Sequence, residues 1–300
     1  MARQTSAPAA ERESSWPAAG RKESKVGNRF KVGDLEVLAV SDGLGFAPGT
    51  IYFRGTTDEQ WEKHKRWLNH AGQVEFPFSC FLIDSGGKKV LIDTGLGPAN
   101  MFGFTGGALL DELAAGGVKP EDVDVVFLTH LHIDHCGNVA HDDGEAMKAV
   151  FPNATYRWTA QEDEFWQEPD PRAASAGFDW QKMMAAVSGR FEIADDGAVI
   201  APGINVIGTP GHTPGHAGVI LSSQGKRAFI LGDAISCPVQ LEETEWCGMG
   251  DMDGALARRS QEAALQEIET DGALMTACHF PGLTLGRVLQ GEGKRYWEAV

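Results

Sequence analysis

The chain has little positive charge for its size and no long apolar run. Lysine and arginine number 26 against 42 aspartates and glutamates, which leaves a formal net charge of −16. Nucleic-acid binding ordinarily requires a basic surface that displaces counterions from phosphates, so this charge disfavours a nucleic-acid partner. No stretch approaches about 18 consecutive apolar residues, the length of a membrane-spanning helix, so we expect no membrane association.

Paired cysteines and an export signal are also missing. The five cysteines form no CxxC pair, and their odd number argues against a disulfide framework. Residues 1–28 mix Ala, Ser, Pro, Glu and Arg without the apolar segment of about 7–15 residues that a secretory signal needs. We therefore expect a flexible tail over residues 1–28, one domain over residues 29–300, free thiols and a cytoplasmic location.

What the chain does contain is typical of a globular α/β protein, with 42% hydrophobic and 23% charged residues. A hairpin is predicted around Gly86-Gly87, between two β-rich runs. Helices are predicted over residues 109–116 and 254–270, the second with Asp253 as its N-cap. Both halves of the chain carry several strands and then a helix, and no Pro/Ser/Gly-rich linker separates them. This order predicts two sheets packed face to face with helices outside.

Metal-ligand residue types are concentrated at the end of one predicted strand. The strand Val123–Thr129 runs directly into the segment HLHIDH. His130 and His132 are two residues apart and project to the same side of an extended chain, whereas Asp134 and His135 can turn back toward a second point. Several imidazoles in a small volume would repel one another when protonated, so a purely structural role is disfavoured.

Three more candidate ligands follow predicted strands further along the chain. They are His212 in the segment GHTPGH, Asp233 in the segment LGD, and His279 after the last predicted strand. Strand ends are a usual place for catalytic groups, because the scaffold holds them rigidly. All seven groups are nitrogen or oxygen donors, which suits zinc, with iron, manganese or cobalt as alternatives.

These motifs, in this order, resemble the metallo-β-lactamase superfamily, whose signature is HxHxDH followed by three later ligands. The resemblance spans about residues 35–290 and implies an αββα sandwich of two mixed β-sheets flanked by helices. It also implies two divalent metal ions, Zn²⁺ in the first instance. By the same resemblance, the first ion is held by His130, His132 and His212, the second by Asp134, His135 and His279, and both by a bridging Asp233.

The resemblance further implies a reaction. A hydroxide that bridges the two metals would attack an ester-like carbonyl or phosphoryl group, and Asp134 would act catalytically as the proton shuttle. Asp93, in the segment LIDTG, resembles a residue that accepts a hydrogen bond from a ligand histidine. A turn role at the end of the predicted hairpin is the alternative for Asp93.

Within the superfamily, residues 233–240 and the stretches around His279 and Gly286 look like those of methyl parathion hydrolases and quorum-quenching lactonases. This similarity implies a hydrolase of a small, largely apolar ester, lactone or phosphotriester, in a branch that is often homodimeric. A glyoxalase-type thioesterase, a β-lactamase-like amide hydrolase and an iron-dependent oxidoreductase are the alternatives. A non-catalytic sensor with a metal-shaped pocket also stays open.

The remaining histidines, cysteines and aromatic residues have simpler interpretations. His216 is predicted to be structural, and His64, His70 and His141 to be solvated. Cys136 and Cys278 are predicted to pack in the core, because successive residues of a strand point to opposite sides. Many large aromatic side chains are expected in the core, but their number in weakly periodic segments favours an apolar pocket mouth. These aromatic residues are Phe46, Tyr52, Trp61, Phe102, Phe104, Trp158, Phe165, Trp166, Phe178, Trp180 and Trp246.

Overall fold

The computed structural model describes residues 27–98, 100–101, 103–168 and 178–300. The tail predicted over residues 1–28 lies outside these ranges except for its last two residues, and Phe102 lies outside them as well. Within the described ranges, no helix is both long and apolar enough to cross a membrane.

Nine of the described strands form the first sheet, and three of its strand pairs join strands that are not consecutive in sequence. The two long central strands pair antiparallel, with a register shift between Ser41 and Leu44. In spatial order the strands are β11 (Phe191–Ile193), β10 (Thr155–Trp158), β7 (Val125–Phe127), β4 (Lys88–Ile92), β3 (Gln73–Ser85), β2 (Leu35–Pro48), β6 (Phe104–Thr105) and β5 (Asn100–Met101), with β1 (Asn28–Val32) also paired to β2.

Seven of the strands that the structure describes form the second sheet, and a separate two-stranded hairpin lies outside both sheets. In spatial order the seven strands are β12 (Val199–Ala201), β13 (Ile204–Gly208), β14 (Ala217–Ser223), β15 (Lys226–Ile230), β16 (Leu274–Thr276), β17 (Gly286–Gly291) and β18 (Lys294–Ala299). The separate hairpin consists of β8 (Ala140–Asp142) and β9 (Met147–Ala149).

Eight α-helices and three short 3₁₀ helices connect the described strands. The α-helices are α1 (Gly49–Tyr52), α2 (Asp58–Glu62), α3 (Leu109–Ala115), α4 (Ile133–Cys136), α5 (Ala160–Gln167), α6 (Trp180–Val187), α7 (Val239–Glu242) and α8 (Gly254–Asp271). The 3₁₀ helices are Lys65–Trp67, Pro120–Asp122 and Ser188–Arg190.

Alternation along the strands divides the apolar side chains into three layers. In β3, Phe81 and Ile83 pack between the sheets, whereas Cys80 and Leu82 face the layer that includes α3 and α6. In β15 the alternation continues, because Ile230 points between the sheets and the outer face of that strand packs beneath α8. Burying each of the Leu, Ile and Phe side chains contributes about 1.5–3 kcal/mol. The predicted αββα sandwich is therefore confirmed.

Most of the predicted strands and helices are present, but the structure also contains several that were not predicted. The hairpin around Gly86-Gly87 joins β3 to β4, and Asp253 caps α8 by accepting a hydrogen bond from the Leu256 N–H at 2.9 Å. The helices α5 and α6 and the C-terminal hairpin β17–β18 were not predicted. In α6 the buried residues Trp180, Met183, Met184 and Val187 have helical spacing, so this helix carried a pattern that the sequence analysis missed.

Candidate metal centre

Parallel strand pairs bring the predicted ligands to one edge of the sandwich. In the first sheet, Ile92 of β4 pairs with Phe127 of β7, so Asp93 and the segment HLHIDH leave the sheet side by side. In the second sheet, Ile230 of β15 pairs with Thr276 of β16, which places the loops that carry Asp233 and His279 together. Carboxyl ends of parallel strands meet at the same edge of a sheet, and this edge holds the candidate site.

A single helical turn after β7 explains the HxHxDH spacing. His130 is fully buried three residues after β7 ends, and His132 has an extended backbone, with φ −64° and ψ 149°, immediately before α4. The four residues of α4 then carry Asp134 and His135 round to the second side of the site. A change from extended to helical backbone thus turns one short segment toward two neighbouring points.

The structure brings all seven predicted ligands together. Their donor atoms form three overlapping groups, and within each group every donor atom lies within 4.8 Å of the others. The groups are His130, His132 and His212; His130, His135 and Asp233; and Asp134, His135 and His279. A fourth group at the same place consists of Asp93, His135 and Cys278.

Three imidazole nitrogens of the first group point at one another. His132 Nδ1 lies 3.0 Å from His130 Nε2 and 3.0 Å from His212 Nε2. Nitrogens that ligate zinc tetrahedrally at about 2.0–2.1 Å lie roughly 3.4 Å apart. The three imidazole nitrogens therefore have nearly the spacing of zinc ligands.

Asp233 lies between the first group and the other two histidines. Its Oδ2 is 3.4 Å from His212 Nε2 and 3.2 Å from His279 Nε2, and its Oδ1 is 3.4 Å from His135 Nε2. Asp134 Oδ2 lies 3.5 Å from His279 Nε2 on the outer side. One carboxylate therefore reaches both halves of the cluster.

The outward nitrogen of most of these imidazoles is held by a partner outside the cluster. His135 Nδ1 lies 2.8 Å from Asp93 Oδ2, His279 Nδ1 lies 3.0 Å from the Pro77 carbonyl oxygen, and His130 Nδ1 lies 3.1 Å from the Thr129 hydroxyl. His212 Nδ1 lies 2.9 Å from Asp251 Oδ1. Such contacts fix the tautomer and turn Nε2 inward, which is how metal-ligating histidines are usually supported.

Asp93 lies at the centre of the support behind His135. It is 1% exposed and accepts hydrogen bonds from the Thr129 backbone N–H at 2.8 Å and the Thr129 hydroxyl at 2.9 Å. The Cys278 thiol also donates to Asp93 Oδ2, at 3.0 Å. Cys278 is buried as predicted, but it contacts this carboxylate rather than only apolar neighbours.

Burial and the neighbouring charges give the imidazoles of the site different protonation behaviour. Burial, followed by the neighbouring histidines, lowers the pKa of His130 well below its usual value. Burial also lowers the pKa of His132, to about 3. Both rings are therefore neutral near pH 7, which is the form that binds a metal.

For the histidines closer to the carboxylates, the pKa shifts in the opposite direction. Burial lowers the pKa of His135 and His279, but Asp233 and the other neighbouring carboxylates together outweigh burial and raise the pKa of both. Burial likewise raises the pKa of Asp233, but His279 and His135 overcome that effect and hold it well below its usual value. Positive charge, whether carried by protons or by a metal ion, is thus favoured between these groups.

Two buried atoms at the centre of the cluster support the fit of this donor set to divalent metal ions. Among the described residues, His135 Nε2 and Asp233 Oδ1 are buried side-chain atoms without a hydrogen-bond partner. Buried polar atoms without a partner are rare and costly in folded proteins. A cation between imidazole nitrogens and carboxylate oxygens would satisfy both atoms, so the residues present fit a metal centre.

Residues remote in sequence complete the site, and the sequence did not predict them. Glu162 of α5 is fully buried, and Asp251 precedes α8. Neither belongs to a recognisable motif: Glu162 precedes the aromatic pair Phe165-Trp166, and Asp251 lies in a glycine-rich stretch without such a signal. The residues that support the donor cluster therefore extend beyond the seven predicted ligands.

Other histidines and aromatic residues have mixed outcomes. His216 is structural as predicted, since its Nε2 accepts a hydrogen bond from the Asp233 N–H at 2.9 Å. His64 is only 4% exposed and lies 3.0 Å from Glu243 Oε1, so its predicted solvation is wrong. The expected aromatic mouth is also wrong for the tryptophans, which pack in the core: Trp61, Trp158, Trp166, Trp180 and Trp246.

Comparison with known proteins agrees with this geometry. A model of the metallo-beta-lactamase superfamily matches residues 75–279. An N-acyl homoserine lactonase of Rhizobium radiobacter is 27% identical over 187 residues, which cover 54% of this chain and 66% of that protein. The chain thus matches slightly less than two thirds of the length of this relative.

Two solved structures superpose on most of the chain. The hydrolase AbOPH of the beta lactamase superfamily has a TM-score of 0.79 and 28% identity, covering 93% of this chain and 99% of that one. The dizinc quorum-quenching lactonase AidC has a TM-score of 0.82 and 24% identity, covering 92% of this chain and 97% of that one. The resemblance to quorum-quenching lactonases is confirmed as a similarity of sequence and fold. The family match, the αββα sandwich and the converging HxHxDH cluster together establish that the chain belongs to the metallo-beta-lactamase superfamily.

Proposed function

We propose that the protein is a dinuclear metal-dependent hydrolase that opens lactones. The observation that carries this proposal is the set of three overlapping donor groups at one edge of the sandwich. His130, His132 and His212 would hold one divalent ion, and Asp134, His135 and His279 the other, with Asp233 shared between them. When bound, the ions would supply Lewis acidity toward the substrate's carbonyl oxygen and make hydroxide available from water near neutral pH.

Asp134 is the group best placed to move a proton. Its side chain is 25% exposed, whereas those of His135 and His279 are 1% and 3% exposed. A carboxylate that is beside the donor cluster and also open to solvent can take a proton from the attacking water and deliver it to the leaving oxygen. Ring opening of a lactone needs this transfer, because the leaving alkoxide is a poor leaving group until it is protonated.

Aromatic side chains beside His279 support a largely apolar substrate. The Phe76 and Phe78 rings lie 5.8 Å and 6.0 Å from the His279 ring, and the Tyr52 ring lies 4.2 Å from Phe76. Phe76 and Phe78 are buried behind the His279 ring, whereas Tyr52 is partly exposed and is the aromatic side chain that a substrate could meet. Apolar side chains next to a few convergent polar groups are the usual composition of a small-molecule site. Relatives named N-acyl homoserine lactonases support a lactone as the reacting group.

The proposal is tested by initial hydrolysis rates on a panel of substrates, with protein of measured metal content. The panel contains acyl-homoserine lactones, aryl esters, a phosphotriester, a glutathione thioester and a β-lactam. We expect the highest kcat/KM for a lactone, loss of activity after chelation and recovery with Zn²⁺. Fe²⁺, Mn²⁺ and Co²⁺ serve as alternative ions in the recovery step.

Each result on the panel has a distinct meaning. Preference for the aryl ester or the phosphotriester would keep the metal-dependent hydrolase and replace the lactone. Preference for the thioester or the β-lactam would move the protein to another branch of the superfamily. A fully metal-loaded protein without activity on any substrate would overturn the hydrolase proposal. Sedimentation of the same samples tests the expected homodimer.

A further inference from the structure

The loop 247–253 lies against the first donor group and is anchored there by its own backbone. The Met252 N–H donates a hydrogen bond to the His212 carbonyl oxygen at 3.0 Å. The Gly248 N–H donates to Asp251 Oδ2 at 2.7 Å, which closes a tight turn within the loop. The loop is therefore hydrogen-bonded directly to His212, which is one of the proposed ligands.

Asp251 holds the outward side of the His212 ring. Its Oδ1 lies 2.9 Å from His212 Nδ1, and its side chain is only 7% exposed. A hydrogen bond from Nδ1–H to a buried carboxylate leaves the Nε2 lone pair free, and that atom points at His132 Nδ1, 3.0 Å away. Asp251 thus selects the tautomer that can ligate a metal.

Gly250 holds a second side of the same ring. A Cβ atom on Gly250 would lie 2.7 Å from His212 Cε1, 3.3 Å from His212 Nε2 and 3.6 Å from His132 Cε1. Gly250 is not among the glycines with positive φ, so its backbone conformation is open to any residue. Lack of space against the imidazole, rather than backbone strain, is what requires a glycine here.

We propose that Gly250 and Asp251 form a clamp that positions His212. Asp251 orients the ring through Nδ1, and the Gly250 backbone limits its tilt from the Cε1 side. Metal affinity of the group His130, His132 and His212 would then depend on a loop about 40 residues downstream of His212. The inference rests on the proposed function, because it requires an ion in that donor group. Both clamp residues are positioning residues, since they act through His212.

The test measures metal binding rather than turnover. Asp251→Ala and Gly250→Ala are loaded with Zn²⁺ or Co²⁺ and dialysed against chelators of increasing strength. We expect one of the two ions to be held about 10–100-fold more weakly and the other to keep its wild-type affinity. The Co²⁺ absorption spectrum should change with the loss of that ion. Thermal unfolding of the metal-free variants reports any general loss of stability, which a merely structural role would produce without selecting between the ions.

Matched controls separate the clamp from the general cost of each substitution. Gly189→Ala introduces a Cβ that meets nothing within 4 Å, and Glu245→Ala removes a side chain that is 82% exposed near the same loop. Asp251→Asn keeps one acceptor oxygen and should fall between wild type and Asp251→Ala. If Asp251→Ala does not fold, Gly250→Ala provides an independent test of the other side of the ring.

Failure of the clamp and failure of the proposed function give different results. A wild-type protein that binds fewer than two ions would overturn the dinuclear site itself. A wild-type protein that holds two ions, with Asp251→Ala and Gly250→Ala holding both equally well, would overturn the clamp alone. Equal weakening of both ions in both variants would also contradict it, because the clamp touches one donor group.

Discussion

The backbone N–H of Leu131 donates a hydrogen bond to Glu162 Oε1 at 2.9 Å. In sequence, Leu131 lies between the proposed ligands His130 and His132. The other carboxylate oxygen, Oε2, accepts from the Thr213 hydroxyl at 2.7 Å and from the Gly215 N–H at 3.1 Å. Trp166 Nε1 donates to Oε1 at 2.7 Å. One buried carboxylate therefore joins the loop that carries His130 and His132 to the loop that carries His212.

Glu162→Gln should destabilise the metal-free protein by about 1–3 kcal/mol, because an amide nitrogen would face donors that now reach a carboxylate oxygen. Urea unfolding of chelated protein measures the change. Glu164→Gln, on an exposed position of the same helix, should remain within about 0.5 kcal/mol of wild type. Equal stability of the two variants would show that Glu162 does not join the loops.

Asp93→Asn should weaken metal binding about 10–100-fold, since the amide is a poorer partner for His135 Nδ1 and for the Thr129 and Cys278 donors. Asparagine is chosen because Asp93 has φ +57°, a conformation that asparagine tolerates. Chelator competition measures the affinity. Asp111→Asn, on the exposed side of α3, is the control, and unchanged affinity in Asp93→Asn would contradict the support role.

Asp233→Ala should release at least one metal ion per chain. The substitution removes the only carboxylate, among the described residues, that contacts His135, His212 and His279 together. Metal content after gel filtration, by elemental analysis, measures the loss against an Asp111→Ala control. Two tightly held ions and full activity in Asp233→Ala would show that the assignment of this site is wrong.

Asp134→Asn should lower kcat on the preferred substrate by about 100-fold or more, because the amide cannot carry a proton between water and the leaving oxygen. The rates are compared at matched metal content, since Asp134 is also a proposed ligand. Asp111→Asn again supplies the control. A variant with two ions and wild-type kcat would assign the proton transfer to another group.

Arg295→Met should destabilise the protein at pH 7 by about 1–2 kcal/mol. Arg295 contacts Glu262 at 2.7 Å and Glu269 at 2.8 Å, and these hydrogen bonds lower the pKa of both carboxyl groups. A carboxyl group with a lowered folded-state pKa stabilises above its unfolded pKa of about 4.3, and this contribution is lost as pH falls through the folded value.

The difference in free energy of unfolding between Arg295→Met and wild type should therefore be largest at neutral pH. It should shrink as the pH falls below the pKa of free glutamate. Urea unfolding of metal-free protein across that range measures it. Arg259→Met, at an exposed position of the same helix as Glu262, should show no comparable pH dependence. A difference that stays constant with pH would indicate lost packing instead of lost ion pairing.

Much of the site was predictable because its ligands lie next to one another or at the ends of strongly apolar strands. The segment HLHIDH carries four donors within one extended-to-helical turn, so local geometry already aims them at two neighbouring points. The GHTPGH and LGD segments follow strands with clear apolar runs. These features depend on short stretches of backbone, and the resemblance of the motifs to a known family follows from the same stretches.

The amino-acid sequence by itself thus determined the donor types, their order and the sandwich that presents them. Tertiary structure alone decided which groups support those donors. Glu162 lies 31 residues from Leu131, Asp251 lies 39 residues from His212, and Cys278 lies 185 residues from Asp93. His64 is buried because Trp61, Glu243 and Trp246 pack around it. Contacts across such separations have no local periodicity or propensity to mark them, because they form only when the two sheets and their loops are assembled.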